Sequence, residues 1–457
     1  MHGDVFTVNE HEFKPFKVKL PEIKKNEYVI TDFGAASGGM VSNTKAFSDA
    51  IFAASEHGGK VVVPSGVWLT GPIELKSGVE LHLEDNAVII FDKNAEEYPL
   101  IEVEYEGVAR IRATSPIHAE GAEDIAITGN GVIDGSGHLW RPVKKFKVTD
   151  RQWKALLKES PYLWDDGNVW VPTKSIYEGR NYGEMFPDHE GALEEAAPYY
   201  DFYRPVMVSL KHCKRVLIEG VLLKNSPSWC LNPYFCEDVT VRNVRIENPY
   251  YAQNGDGIDI ESCKNVELCY SHFSTGDDGI CIKSGKDREA RKVIGPSENI
   301  HIHHCYAGQG HGGFVIGSEM SRGVKNVLVE DCTFIDSDVG IRMKSCLGRG
   351  GVVEDIFIRN INMVNIQQEA VIMTMNYVHH NISYDEAVSN SEMRDDIPEF
   401  KNIYIDNCQC KGAKVAVKIE GIKGSTDTIH DVHIRNCKFI ADEENILTDC
   451  RDIEIIS

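Results

Sequence analysis

A chain of 457 residues exceeds one ordinary compact core, which leaves two or three domains or one elongated repeat. A formal net charge of -22 sets the bulk electrostatics against nucleic acid, and an acidic substrate would need a local basic site within that field. No apolar run approaches the ~18 residues of a membrane span, so neither nucleic acid nor a membrane is expected as a partner.

Residues 1–26 begin "MHGDVFTVNEHEFKPFK", without an apolar signal core, and read as an N-terminal arm. The thirteen cysteines include an odd one and no CxxC pair. Free thiols in a reducing, cytoplasmic compartment are therefore expected; a secreted or periplasmic protein whose signal peptide has been removed is the alternative. From 27 to 457 the chain reads as one domain. "SNTKAFSDAIFAASEHGG" predicts a helix over 42–57, with Asn43 as N-cap and Gly58 as stop, and strands follow at "KVVVPSG" and "GVELHLE".

Beyond these a template recurs: AEDIAITG from 122, CKRVLIEG from 213, CEDVTVRN from 236, CKNVELCY from 263, SENIHIHH from 297, VKNVLVED from 324, VEDIFIRN from 353, FKNIYIDN from 400, IHDVHIRN from 429, and a last CRDIEI from 450. Its fourth and sixth residues are aliphatic, a period of two, so each copy is a strand with one buried face. The eighth is often Gly or Asn, types that tolerate a left-handed turn. One short strand cannot bury its own face, so the repeats must stack. Most spacings fall between 21 and 34 residues, which describes the coils of an all-β, right-handed parallel β-helix with the 42–57 helix capping its open end. Cys305, Cys332, Cys408 and Cys437 share the ninth position with Val221, Val244 and Ile361, and are expected as a buried column rather than as metal ligands. Two stretches interrupt the repeat. Residues 136–205 hold Trp140, Trp153, Trp164 and Trp170; residues 366–399 form a second long loop, with Tyr377 near its start.

Between the template strands runs a second register, G-φ-x-φ-x-S, at GIDIES (257), GICIKS (279), GFVIGS (313) and GIRMKS (340). Coils ~4.8 Å apart would place Asp256 beside Asp278. Asp277 lies in the same corner, His311 on the next coil, and Arg342 and Lys344 one coil further. Three acids at close range cannot all ionise freely, so one should hold a proton near neutral pH. Such a set supplies the acid and base of glycoside hydrolysis, and the neighbouring cations suit a sugar that carries a carboxylate.

In order along the chain, N254-G-D256, D277-D278, G310-H311-G312 and R342-M-K344 resemble the four signature blocks of the polygalacturonases, glycoside hydrolase family 28; Gly255 and Met343 depart from the usual middle residues. "FGA", "VPSGVWLTGPIELKS", "NSPSWC" and "GSEM" extend the likeness over nearly the whole chain, which is most similar to bacterial exo-acting members. The resemblance implies an inverting hydrolase of α-1,4-linked galacturonic acid in homogalacturonan or its oligosaccharides. Asp277 would be the general acid, Asp256 and Asp278 would together hold and deprotonate the attacking water, with acid and base ~6.5–9.5 Å apart to leave room for it, and His311 would tune the acid or hold the sugar. Arg342 and Lys344 would bind galacturonate, Asn254 and Tyr377 would line the site, and Lys283 is a further binding candidate. Neither a metal nor an organic cofactor is implied.

Three other signals weigh less. G308-x-G310-x-x-G313 leads into a strand instead of the helix a dinucleotide site needs. "HIHHC" (301–305) alternates around the inward Ile302, and the acids of "NGDGIDIES" miss calcium-loop spacing. The rival functions are a calcium-dependent pectate lyase, a rhamnogalacturonan hydrolase, which generally lacks the Arg-x-Lys block, and a non-catalytic carbohydrate-binding β-helix.

Overall fold

The computed structural model describes residues 7–8, 11–183, 185–293, 295–378, 384–390 and 393–456. Each template strand carries a local bend at its third residue. Asp124, Asp238, Asn265, Asn299, Asn326, Asp355, Asn402, Asp431 and Asp452 all have φ between 51° and 57°, a left-handed conformation that Asn and Asp tolerate because their short side chains bond locally. Those side chains also stack from coil to coil: Asn299 Nδ2 donates to Asn265 Oδ1 at 3.0 Å, and Asn326 Nδ2 to Asn299 Oδ1 at 2.7 Å. The one Arg in this column, Arg215, is held there by Asp124 and Glu123.

The templates pair in parallel into a 13-stranded sheet. It begins with Glu27–Val29, Gly59–Val63 and Val79–Leu83 and ends with Arg451–Ile456. A second parallel ladder carries the G-φ-x-φ-x-S strands Ile258–Glu261, Asp278–Lys283, Gly312–Gly317 and Val339–Lys344. A third holds short strands such as His272–Ser274 and Tyr306–Gly308. The long strand Gln409–Glu420 turns the corner and pairs with both the second and the third. Parallel crossovers of this kind wind right-handed, and the molecule is a right-handed parallel β-helix. The inward residues of all three ladders form one continuous core, each buried Ile, Val or Phe contributing about 1.5–3 kcal/mol relative to exposure.

The cysteine column is buried as expected, and none of the thirteen cysteines, all among the described residues, is joined in a disulfide. The Cys305 amide donates to Cys332 Sγ, and that of Cys408 to Cys437 Sγ, both at 3.4 Å. The cap is the helix Thr44–His57, which buries Ala46, Phe47, Ala50, Ile51 and Ala54 on the first coil. Asn43 precedes it but does not cap it. Its amide accepts from Ala36 N–H and donates to Ala36 O, Val41 O and Leu69 O, so the side chain ties the helix to the preceding loop. The arm runs back along the outside of the template sheet. Phe13 packs among Leu328, Phe357 and Tyr404, Lys14 pairs backbone groups with the Asn326 amide, and Glu22 N–H reaches Asp124 Oδ1 at 3.0 Å.

The first insertion, 136–205, is folded. It contains the helix Asp150–Glu159, a small antiparallel sheet, and an apolar cluster of Val143, Trp153 and Trp170. The second is shorter than the sequence indicates. Glu369–Thr374 continues the second ladder, so the excursion starts after residue 375 instead of at 366. An apolar run at the edge of a loop is, here, one more coil.

Candidate active site

The glycine that opens each strand of the second ladder sets the direction of its neighbours. A Cβ on Gly257, Gly313 or Gly340 would point into the core, 2.8 Å from Phe273, 2.5 Å from Phe334 and 2.2 Å from Met363 Sδ. The following residue, Ile258, Phe314 or Ile341, is also inward. Two successive inward positions break the alternation, so the residue before the glycine faces out. This brings Asp256 and Asp278 to the outer surface of adjacent coils, in register through Ile258–Ile280 and Asp259–Cys281. The alternation then resumes, and Asp259, Cys281, Val315 and Arg342 form one outward column. Glu261 and Lys283 pair in the next, where Lys344 follows opposite Gly317.

One carboxylate oxygen from each of Asp256, Asp277 and Asp278 lies within 4.8 Å of the others. This is tighter than the ~6.5–9.5 Å expected between acid and base of an inverting pair. The three differ in setting. Asp256 is buried, and burial with the nearby Asp259, Asp277 and Asp278 pushes its carboxyl well above the ordinary range. Asp277 keeps 19% of its side chain exposed. Burial pushes it up, but the His311 contact and the charges of Lys344 and Lys283 outweigh that and hold it below the usual carboxylate range. It also accepts from the backbone N–H of Asp278 at 3.1 Å and of Asn254 at 3.3 Å. Asp278, 2% exposed, accepts from Lys344 Nζ at 2.7 Å. Of the three, Asp256 is therefore the carboxyl favoured to hold a proton, and Asp277 the one favoured to be ionised.

The other sequence-derived residues converge on the trio with changes of role. His311 Nδ1 lies 3.2 Å from Asp277 Oδ1. The Tyr377 ring, exposed at the rim, stands 5.0 Å from Lys344 Nζ and 5.7 Å from the Arg342 guanidinium. Arg342 Nε is buried and makes no hydrogen bond. Asn254 contributes its backbone amide; its side-chain oxygen is taken by Arg204 at 2.8 Å. The Lys283 ammonium is engaged by neighbouring side chains of the chain itself. It is buried over the Trp229 ring at 4.5 Å, 3.1 Å from Glu319 and 3.5 Å from Asp259, so it answers the charge of buried acids.

Sequence reasoning missed several residues. Asp259 and Glu261, the spacers of GIDIES, are buried on the same outward face, further along the strand, and burial raises them to about 7 and about 8; their outward alternation was the available signal. Glu319 is held below the usual range: Lys283, Arg349 and Lys344 outweigh its burial. Lys147 reaches His311 Nε2 at 3.3 Å from the first insertion, and no periodicity announces it. Beside it, Arg112, Lys144, Arg180 and Arg204 line a cavity of about 250 Å³ with Trp164, Phe202 and Gln253. In "HIHHC", His301 pairs with Glu330 at 2.8 Å and His303 with Glu267 at 3.4 Å around the buried Ile302.

Comparison with known proteins follows the same lines. The sequence model of the glycosyl hydrolases family 28 matches residues 183–395. The crystal structure of a hyperthermoactive exopolygalacturonase from Thermotoga maritima superposes with a TM-score of 0.77 at 31% identity, covering 96% of this chain and 94% of that one. The exo-poly-alpha-D-galacturonosidase of Dickeya chrysanthemi is 30% identical over 413 residues, 89% of this chain and 66% of that enzyme. An endo-polygalacturonase of Pectobacterium carotovorum is 27% identical over 372 residues, 80% of this chain and 79% of that enzyme. On sequence and fold together, the chain belongs to glycoside hydrolase family 28.

Proposed function

We propose that the chain hydrolyses α-1,4-linked galacturonic acid in pectic homogalacturonan or its oligosaccharides, acting from chain ends and inverting the anomeric centre. One observation carries this reading: three carboxylates within 4.8 Å share a cleft with the Arg342, Lys344 and Tyr377 cluster. Arg342 has the geometry to hold a uronate carboxylate through two parallel hydrogen bonds.

Asp277 is the most exposed of the trio and the one a glycosidic oxygen can touch. Its carboxyl is held below the usual range by His311, Lys344 and Lys283. A bound uronate would offset part of the positive field that holds Asp277 down, to which Lys344 contributes, so a proton held on Asp256 can pass to Asp277. Asp256 and Asp278, both then ionised, hold and deprotonate the attacking water. The short span between the carboxylates makes the stereochemistry an explicit question, and the anomer formed first, read by proton NMR, answers it.

The end-directed action is supported by the folded first insertion beside the cleft and by its basic, aromatic-lined cavity. A time course of products from homogalacturonan tests it. Small uronides of one length from the outset support an exo-enzyme, and an early ladder of oligomers rejects it. The buried, unpaired thiol column supports a reducing, cytoplasmic site of action, to be checked by cell fractionation.

A further inference from the structure

We infer that Lys147 is a positioning residue: it fixes the tautomer of His311 and so the hydrogen bond that His311 gives to Asp277. The importance of that bond rests on the role proposed for Asp277; the tautomer itself does not.

Lys147 ends the short turn Lys145–Lys147 of the first insertion, 164 positions from His311 in sequence. An ammonium has three N–H donors and no acceptor. Lys147 Nζ has three acceptors in reach: Gly276 O at 2.9 Å, Tyr250 O at 3.3 Å and His311 Nε2 at 3.3 Å. The Tyr250 ring lies 4.8 Å away. Two of the acceptors are carbonyls, and the third must offer a lone pair, so Nε2 carries no proton. The ring proton then sits on Nδ1, 3.2 Å from Asp277 Oδ1. With the opposite tautomer, or with both nitrogens protonated, an N–H would point at an ammonium 3.3 Å away. With the opposite tautomer Asp277 would also face a bare nitrogen.

The charged groups around the ring are Asp277, Asp338 and Lys147. Asp338 Oδ2 lies 3.8 Å from Nε2 and would favour a proton there, but that distance exceeds a hydrogen bond, and Lys147 is closer. Burial pushes the Lys147 ammonium down, and Asp277 and Asp338 push back. Lys144 adds to the downward push, while the three acceptors converge on the ammonium itself. Gly276 immediately precedes Asp277, so the same ammonium anchors the acid's backbone and its histidine partner.

The experiment is nitrogen NMR of the full chain labelled with ¹⁵N-histidine, with His311 assigned by loss of its signals in His311→Gln. The unsubstituted protein should show a protonated Nδ1 and a bare Nε2. Lys147→Met should move the proton to Nε2, toward Asp338, or mix the tautomers. In parallel, kcat on galacturonan should fall about tenfold or more with KM within about twofold, and Lys147→Arg should restore part of both signatures. A protonated Nε2 in the unsubstituted protein, or an unchanged Nδ1–H in Lys147→Met with unaltered tryptophan fluorescence from the insertion, overturns the inference. If the substitution unfolds the insertion, the unsubstituted spectrum alone still decides. Failure of the unsubstituted protein to cleave galacturonan would instead reject the proposed activity and leave the tautomer result standing.

Discussion

Lys344 Nζ and Asp278 Oδ2 lie 2.7 Å apart although 66 residues separate them. Neither side chain is more than 7% exposed. The winding of the solenoid alone makes them neighbours, two coils apart on one outer face, and the pair gives Asp278 a fixed counter-ion inside a crowd of acids.

Breaking that pair should be costly in a specific way. Lys344→Met leaves a buried carboxylate uncompensated, and the expected loss is about 3–5 kcal/mol of unfolding free energy, measured by denaturant titration. Lys344→Met combined with Asp278→Asn should recover a large part of it, since no unpaired charge then remains. Equal stability of the single and double variants would show that the pair is not what holds this corner.

Asp277→Asn tests the acid. Asparagine fills the same volume, but its single oxygen can accept from only one of the two backbone N–H groups that Asp277 serves, Asp278 at Oδ1 and Asn254 at Oδ2, so a loss of about 1 kcal/mol of stability is expected, well short of unfolding. Turnover of galacturonan should fall by about 10²- to 10⁴-fold, the range for loss of a general acid. Full turnover in the variant would move the acid role elsewhere in the trio.

The path from sequence to site was clear wherever a side chain's direction follows from a period. The template strands, the inward cysteines and the convergence of Asp256, Asp277, Asp278, His311, Arg342 and Lys344 all follow from stacking copies of one pattern. Three kinds of information did not. The left-handed column at Asp124, Asn265 and Asn326 occupies the third template position, which varies between Asp, Asn and Arg and so hid its common conformation. Partner choice was invisible: Lys283 and Lys344 share an outward column and are equally buried, yet one pairs with Glu319 and Asp259 and the other with Asp278. The first insertion has no period, so Lys147 and Arg204 could be placed against the site only by the folded chain.

The glycine rule predicts a sharp steric effect. In Gly313→Ala the added methyl would sit 2.5 Å from Phe334 Cγ and 2.8 Å from its Cβ. Phe334 is fully buried, so the strand Gly312–Gly317 has to shift outward between the coils of Asp278 and Arg342. The expected cost is about 1–3 kcal/mol, with a fall in kcat out of proportion to a surface substitution. A variant with parental stability and rate would mean that the glycine does not set the direction of its neighbours.

The acid trio could also span a cation, which is the premise of the lyase alternative. Lys344 already supplies a positive charge at Asp278, and hydrolysis by acid and base needs no metal. Thorough chelation should leave the rate of galacturonan cleavage within about twofold, and the products should lack the ultraviolet absorbance of an unsaturated uronide. Loss of activity on chelation that calcium restores, together with that absorbance, would replace the hydrolase by an eliminase.

The buried acids beside the site make stability depend on pH. Burial raises Asp259 to about 7 and Glu261 to about 8, against unfolded values of about 4, and Asp256 is raised in the same direction. Between pH ~4 and ~8 the folded chain therefore holds more protons at these groups than the unfolded chain does. The slope of unfolding free energy with pH follows the protons bound unfolded minus those bound folded, so this contribution is negative and stability falls as pH rises through that window. Glu330 works the other way, held down to about 2 mainly by its bond to His301, but its contribution is lost below pH ~4, outside the window. Removing the acids as Asp259→Asn with Glu261→Gln should flatten the decline. The melting temperature of the parent should drop from pH 5 to pH 8 by more than that of the variant, with a difference on the order of 2 °C or more. Parallel curves would show that these carboxyls are already ionised in the folded protein at neutral pH, with Lys283 meeting their charge in full.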